Sequence, residues 1–240
     1  MSRDRPDGTG RPRPPDSPGA TWRSQILEVH TPPESVPAIY SRIAPVYEFW
    51  ARLAESKARR AVLARSRVRD GEAVLEVATG TGVQLVALAR ANPSGQVVGV
   101  ELADGMLAQT RRRLRSGGLS GRVALERADA RILPFADTSF DLVVCCYLLD
   151  LLPRDDIPVV LSELKRVLRP GGRLVLADMT IGERATHRLW DALYQRGIVL
   201  TANCRGVLAA PVLEDLGYHS VEREYLSQML FPTEVVVARR

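Results

Sequence analysis

Cysteine is scarce in this chain: three of 240 residues, two of them adjacent at Cys145 and Cys146 and the third at Cys204. Three thiols without Cys-x-x-Cys spacing can build neither a disulfide framework nor a zinc site, so no metal is expected. A chain of this length needs no staples, because it can bury roughly 70–75% of its unfolded surface. Long apolar runs are absent too. None approaches the roughly 18 residues of a membrane-spanning helix, and no apolar segment with a small-residue cleavage site follows the initial Met. A soluble, cytoplasmic protein is the expectation. Charge of one sign is in small excess, 33 Lys plus Arg against 28 Asp plus Glu, for a net +5. That is weak support for nucleic acid, which is not expected as a partner. The basic residues gather in 57–69 and 111–115, on segments of helical period, and read as solvated faces; peripheral contact with an anionic membrane is the lesser reading. There is no internal repeat, and the sequence leaves the oligomeric state open.

What is present divides into an arm and a domain. The first 20 residues are rich in Pro, Gly, Arg and Asp and offer almost nothing to bury, so 1–34 is expected to be a disordered arm and linker. From 35 to 67 the apolar residues Ile39, Ile43, Val46, Phe49, Trp50, Leu53, Val62 and Leu63 fall largely at helical spacings, with a break near Pro45. The pattern then changes to short β-rich runs at 73–77, 96–101, 122–127, 140–145 and 173–179, with helical segments between them. Strands alternating with helices imply βαβ units, a parallel sheet and ligands at the carboxyl ends of its strands. The runs 219–228 and 234–238 are too close for a crossover helix and should pair antiparallel. The expected fold is α/β: a Rossmann-like seven-stranded sheet, mostly parallel with an antiparallel carboxyl-terminal strand, and helices on both faces.

Val74-Leu75-Glu76-Val77-Ala78-Thr79-Gly80-Thr81-Gly82 is an apolar strand entering a glycine turn, followed by a helical pattern from Val83. Glycines there let a ligand approach the backbone and the N–H groups of the helix start. The next apolar strand ends in Glu101, placed to accept hydrogen bonds from a ribose diol. Leu85 stands where a dinucleotide fingerprint requires a small residue. Glu76 would repel a phosphate but suits a cationic amino-acid group.

With these residues in place, the chain resembles the class I S-adenosylmethionine-dependent methyltransferases, in particular the group of the ubiquinone/menaquinone C-methyltransferases and bacterial phospholipid N-methyltransferases. Five ordered segments carry the resemblance. The first is Leu75 through Gly82, with Ala78 where many members have Gly. The others are Val98-Gly99-Val100-Glu101-Leu102-Ala103-Asp104-Gly105-Met106-Leu107, Ala128-Asp129-Ala130-Arg131-Ile132-Leu133-Pro134-Phe135, Ser139-Phe140-Asp141-Leu142-Val143-Val144 and Leu164-Lys165-Arg166-Val167-Leu168-Arg169-Pro170-Gly171-Gly172-Arg173-Leu174. The resemblance implies that 35–240 is a methyltransferase domain with an amino-terminal helical lid, and that its cofactor is S-adenosyl-L-methionine. It implies a site built from Tyr47, Glu76, Ala78, Thr79, Gly80, Gly82, Glu101, Leu102, Met106, Asp129, Ala130, Cys145 and Tyr147. Within that set Glu101 takes the ribose, Met106 packs on the adenine and Asp129 takes the adenine amino group.

Methyl transfer from a sulfonium needs alignment and exclusion of water, and a general base only where the acceptor arrives protonated. Asp150 after the fourth strand, Asp178 at the end of the fifth and His187 beyond it are the candidates for that role. The expected acceptor is a small or lipid-like molecule: a quinone precursor, a phospholipid amine or a secondary metabolite. A non-catalytic cofactor-binding sensor or scaffold, and an RNA methyltransferase, are the alternatives.

Overall fold

The computed structural model describes residues 56–181, 205–228 and 231–240, together with 21–24, 26, 29, 35, 36, 38, 39 and 41. Tyr47 and His187, and with them Cys204, lie outside the described residues.

Runs of β-branched and aliphatic residues become strands, buried on both faces in the middle of the sheet and more exposed at its edges Val123–Arg127 and His219–Gln228. They are β1 Ala73–Val77, β2 Gln96–Glu101, β3 Val123–Arg127, β4 Phe140–Cys146, β5 Leu168–Met179, β6 His219–Gln228 and β7 Phe231–Arg239. All seven join one sheet in the order β3-β2-β1-β4-β5-β7-β6. The pairs from β3 to β5 are parallel, and β7 is antiparallel to both β5 and β6. The expected carboxyl-terminal pair is therefore present, with β7 inserted between β5 and β6. β5 begins five residues earlier than its apolar run. Leu168 pairs with Phe140, the register shifts, and pairing resumes at Arg173 with Leu142, so the Pro-Gly-Gly turn is an irregularity inside the strand.

The described α-helices are α1 Ser56–Ser66, α2 Val83–Ala91, α3 Asp104–Ser116, α4 Asp156–Val167 and α5 Ala209–Asp215. Strand side chains alternate between two cores. Leu75, Val77, Val143, Cys145 and Leu176 pack with Ile157, Leu161 and Leu164 of α4 and Val212 and Leu213 of α5. Val74, Leu142, Val144, Cys146 and Val175 pack with Ala58 and Val62 of α1 and Leu85 and Leu88 of α2.

Within the stretch expected as arm and linker, Thr21–Ser24 form a 3-10 turn. Trp22 and Ile26 are buried in the α4/α5 core. The Trp22 indole N–H donates to Asp215 at 2.9 Å, and Arg154 donates to the Arg23 carbonyl at 2.9 Å. A large apolar ring with a satisfied N–H is worth docking even in a polar segment.

Candidate functional site

The chain crosses from β1 over α2 to β2 and from β2 over α3 to β3, then returns past β1 to β4. The crevice this reversal opens lies at the carboxyl ends of β1 and β4, where open α/β sheets place their ligands. A cavity occupies it. Its wall comes from Glu76 to Gly80 after β1, Val100 to Ala103 and Met106 around the end of β2, Ala128 to Arg131 after β3, and Cys146 to Leu148 with Leu151 and Leu152 after β4. Val36 and Arg59 complete it from the amino-terminal side.

The carboxyl groups that face this space from β1 and β2 are held differently. Glu101 is fixed: one oxygen accepts the backbone N–H groups of Leu102 and Ala103, each at 2.9 Å, and the other accepts that of Gly80 at 2.9 Å. A carboxylate offers about four acceptor directions, so one on the Gly80 side stays open to a hydroxyl. Burial pushes its pKa up, and the three N–H groups oppose that shift. Glu76 is 1% exposed, and its Oε2 has no hydrogen-bond partner among the described residues. Burial raises its pKa to about 8; the Arg59 charge lowers it and the Glu101 charge raises it. A buried carboxyl group with a vacant acceptor beside a cavity is poised for a cationic or N–H-bearing ligand.

The glycine turn between them is shaped by backbone conformation. Gly80 has φ +55°, and nothing lies within 4 Å of where a Cβ would stand. Gly82 has φ +77°, and a Cβ there would meet Thr110 Cγ2 at 2.7 Å and Thr110 Cα at 3.2 Å. Thr110 in turn donates its hydroxyl to the Gly80 carbonyl at 2.8 Å. Gly82 therefore lets α3 approach the turn and is not part of the cavity wall, a correction to the expected set. Ala78 and Tyr147 carry positive φ of 59° and 54° without being glycine, at the ends of the adjacent strands β1 and β4. Side chains held in that region at a ligand site mark backbone the fold over-determines.

Ten of the thirteen expected cofactor residues line this one cavity: Glu76, Ala78, Thr79, Gly80, Glu101, Leu102, Met106, Asp129, Ala130 and Tyr147. Cys145 does not: it is fully buried in the α4/α5 core, and Cys146 takes the place at the wall. The two neighbours point to opposite faces of β4, and the wall needs the face that Glu76 shares. Asp150 and Asp178 are each 1% exposed and lie outside the wall. Asp178 accepts the backbone N–H groups of Leu148 and Leu149 at 3.0 and 2.9 Å, so it caps the 3-10 turn Leu149–Leu151 that follows β4. Burial, then the Asp150 charge, holds the Asp178 carboxyl well above the usual range.

Arg59, Arg131, Val36, Leu148, Leu151 and Leu152 were not foreseen as wall residues. Nothing in the sequence separates Arg59 from its basic neighbours. For Arg131 a signal existed: it follows Asp129 by two residues in a loop that must fold back under a ligand. No group of His, Cys, Asp and Glu able to hold a metal ion occurs among the described residues.

A family model described as a methyltransferase domain matches residues 74–172. The ubiquinone/menaquinone biosynthesis C-methyltransferase UbiE of Geobacter sulfurreducens is 35% identical over 170 residues, which are 68% of this chain and 65% of that protein. A demethylmenaquinone methyltransferase of Lactobacillus johnsonii is 32% identical over 170 residues, 68% of this chain and 69% of its own length. Against the first three such relatives the chain spans 65%, 57% and 64% of their length. Among solved structures, that of the [4+2]-cyclase SpnF shares the fold, with a TM-score of 0.72 at 20% identity over 89% of this chain and 99% of that one.

Proposed function

Because the chain belongs to the class I S-adenosylmethionine-dependent methyltransferases, we propose that its cavity binds S-adenosyl-L-methionine and that the protein transfers the methyl group to a small, largely apolar acceptor, a quinone precursor being the leading case. One observation carries the reading: a buried carboxyl group, Glu76, and a half-buried one, Glu101, stand at the ends of neighbouring strands on either side of a glycine turn, with a third, Asp129, in the same wall.

The residues fit this cofactor. The unpartnered Glu76 carboxyl suits the α-ammonium of its amino-acid end, with the Arg59 cation in the same wall for the α-carboxylate. Glu101 has an open acceptor for a ribose hydroxyl, and Met106 and Asp129 suit the adenine ring and its amino group. The Glu101 carboxylate and the vacant acceptor of Glu76 face the cavity from β2 and β1 and offer acceptors where a diphosphate needs donors. When bound, S-adenosyl-L-methionine supplies an electrophilic methyl group on a sulfonium.

What the chain itself does is align and exclude water. Cys146, Tyr147, Leu148, Leu151 and Leu152 form the flank after β4, and the last three with Val36 make it apolar. Such a flank favours a ring or aliphatic acceptor over a charged one. Among the described residues no carboxylate on that flank reaches the wall, which matches an acceptor nucleophilic without a protein base. The names of the relatives above support a quinone-type acceptor.

Calorimetric titration with S-adenosylhomocysteine and, separately, NAD tests the cofactor. Saturable binding of the first alone is expected; binding of NAD in its place would overturn the reading. Release of S-adenosylhomocysteine on adding a short-chain demethylmenaquinone analogue tests the acceptor. Cofactor binding without turnover on quinone-type acceptors would overturn the acceptor class alone.

A further inference from the structure

The leucines that wall the cavity after β4 sit on a tight turn whose backbone is tied to the neighbouring strand through one side chain. Leu148 and Leu151 are three residues apart, the repeat of a 3-10 helix, so they share one side of the turn, and both line the cavity. Leu149, between them, is fully buried and packs in the α4/α5 core. The turn is closed by the Leu151 N–H, which donates to the Leu148 carbonyl at 3.0 Å, and by the Leu152 N–H, which donates to the Leu149 carbonyl at 3.3 Å. Its entry is held from β5. The Tyr147 N–H donates to the Ala177 carbonyl at 2.6 Å, and Asp178 Oδ1 then accepts both the Leu148 and the Leu149 N–H, at 3.0 and 2.9 Å.

The first N–H groups of a helical turn have no acceptor within it, and where they are buried they need one from elsewhere. Asp178 supplies it for two at once. Its own place is set by the sheet: it stands opposite Glu234 in the register of β5 with β7, and Glu234 accepts hydrogen bonds from Thr180, Arg223 and the Ala209 N–H. Asp178 Oδ2 has no hydrogen-bond partner among the described residues, so the bonding of this carboxyl goes to the turn. Burial, then the Asp150 charge, favours its protonated form. A protonated carboxyl accepts through a carbonyl oxygen, as the amide of asparagine does.

We propose that Asp178 is a positioning residue for the methyl acceptor: it fixes the turn that carries Leu148 and Leu151, and through them the apolar wall against which a flat, ring-bearing acceptor lies. This deepens the acceptor reading above and rests on it. Glu76, Glu101 and Asp129, which the cofactor reading uses, stand on β1, on β2 and after β3, and Asp178 bonds to none of them among the described residues. Loss of Asp178 is therefore felt by the acceptor and not by the cofactor.

The probe is a naphthoquinone with methyl groups on both carbons of the quinone double bond, a product-like ligand with no ring position open to attack by a thiol. It is titrated by calorimetry into protein saturated with S-adenosylhomocysteine, with the affinity for S-adenosylhomocysteine and the melting temperature measured on the same samples. Wild type should bind the naphthoquinone saturably. Asp178→Ala should weaken that binding by about fivefold or more, because two buried N–H groups lose their acceptor and the turn shifts to find another, while the affinity for S-adenosylhomocysteine stays within about twofold. Asp178→Asn, which keeps the accepting oxygen and removes the ionisable group, should bind both ligands as wild type does. Asp178→Ser offers a shorter acceptor, should show an intermediate loss, and serves if the alanine variant does not fold. The comparison separates positioning from general-base catalysis, which acts on turnover and not on the binding of a product-like quinone. Equal naphthoquinone affinity in wild type and Asp178→Ala overturns the proposal. A parallel fall in both affinities, which a merely structural residue would give, overturns it as well, and so does a loss in Asp178→Asn as large as that in Asp178→Ala. A wild type that binds S-adenosylhomocysteine but not the naphthoquinone refutes the quinone-type acceptor and this role with it.

Discussion

Glu76 occupies a strand interior where an apolar residue would pack, and its burial has a consequence in pH. The folded protein holds a proton on this carboxyl up to about pH 8, whereas the unfolded chain releases it above the ordinary value of 4.5. Between those two values the native state binds more protons, so its contribution to stability is complete at low pH and is lost as pH rises to about 8. At about 1.4 kcal/mol per unit, the loss is at most about 5 kcal/mol. Glu76→Gln keeps the shape and removes the titration. Melting temperatures of the ligand-free protein from pH 5 to 8.5 should fall more steeply for wild type than for the variant. Glu101 and Asp178 are shifted in the same direction, so some slope remains. Parallel curves for the two proteins would mean that Glu76 is ionised in the native state. At this scale the sequence was informative where chemistry and spacing agree, as for Glu76 and Glu101. It failed on parity at Cys145 and Cys146, because two adjacent thiols in a strand differ only in the face they take, and that depends on the register against β1.

Elements were legible because the strand runs and helical spacings are strong along this chain. β1, β2, β6 and the helix that begins at Val83 lie where the pattern puts them. What spacing could not convey is contact between elements. Gly82 read as part of the ligand turn, and the structure shows that it clears room for Thr110 of α3. Gly80→Ala should therefore cost about 1 kcal/mol in stability, the price of a left-handed non-glycine residue, which Ala78 already carries. Gly82→Ala should cost about 2 kcal/mol or more, since overpacking adds to the same penalty. Thr110→Ser deletes the methyl group nearest the added Cβ and keeps the hydroxyl that bonds Gly80, so it should recover part of the Gly82→Ala loss. Chemical denaturation of the two single variants and the double variant measures this coupling. Additive effects would place the cost of Gly82→Ala in its own backbone. The docking of Trp22 was likewise invisible. A single ring in a polar stretch has no period, and its partners Asp215 and the α4/α5 core are distant in sequence. Spacing was equally silent about Asp178, a candidate base at a strand end whose carboxylate also supports the backbone of the following turn.

At the scale of the whole molecule, one sheet reversal puts four strand ends around one crevice, and that arrangement brings together residues as far apart as Arg59 and Leu152. The resemblance to a methyltransferase family picked out ten residues that line the crevice, through motifs that need fixed backbone shapes. The acceptor side has no such motif. Its wall is made of ordinary leucines after β4 and of Val36, chosen by shape and apolarity that many sequences satisfy. The fold places Glu101 at the middle of this crevice, between Glu76 on β1 and Asp129 after β3. Titration of S-adenosylhomocysteine into wild type and Glu101→Gln is thus the sharpest single measurement, because the substitution keeps size and removes the charge that a ribose hydroxyl would meet. Affinity should fall by about tenfold or more in a variant that melts near the wild-type temperature. Equal affinity in the two proteins would show that the nucleoside does not lie along Glu101, and the placement of the cofactor in this cavity would be wrong.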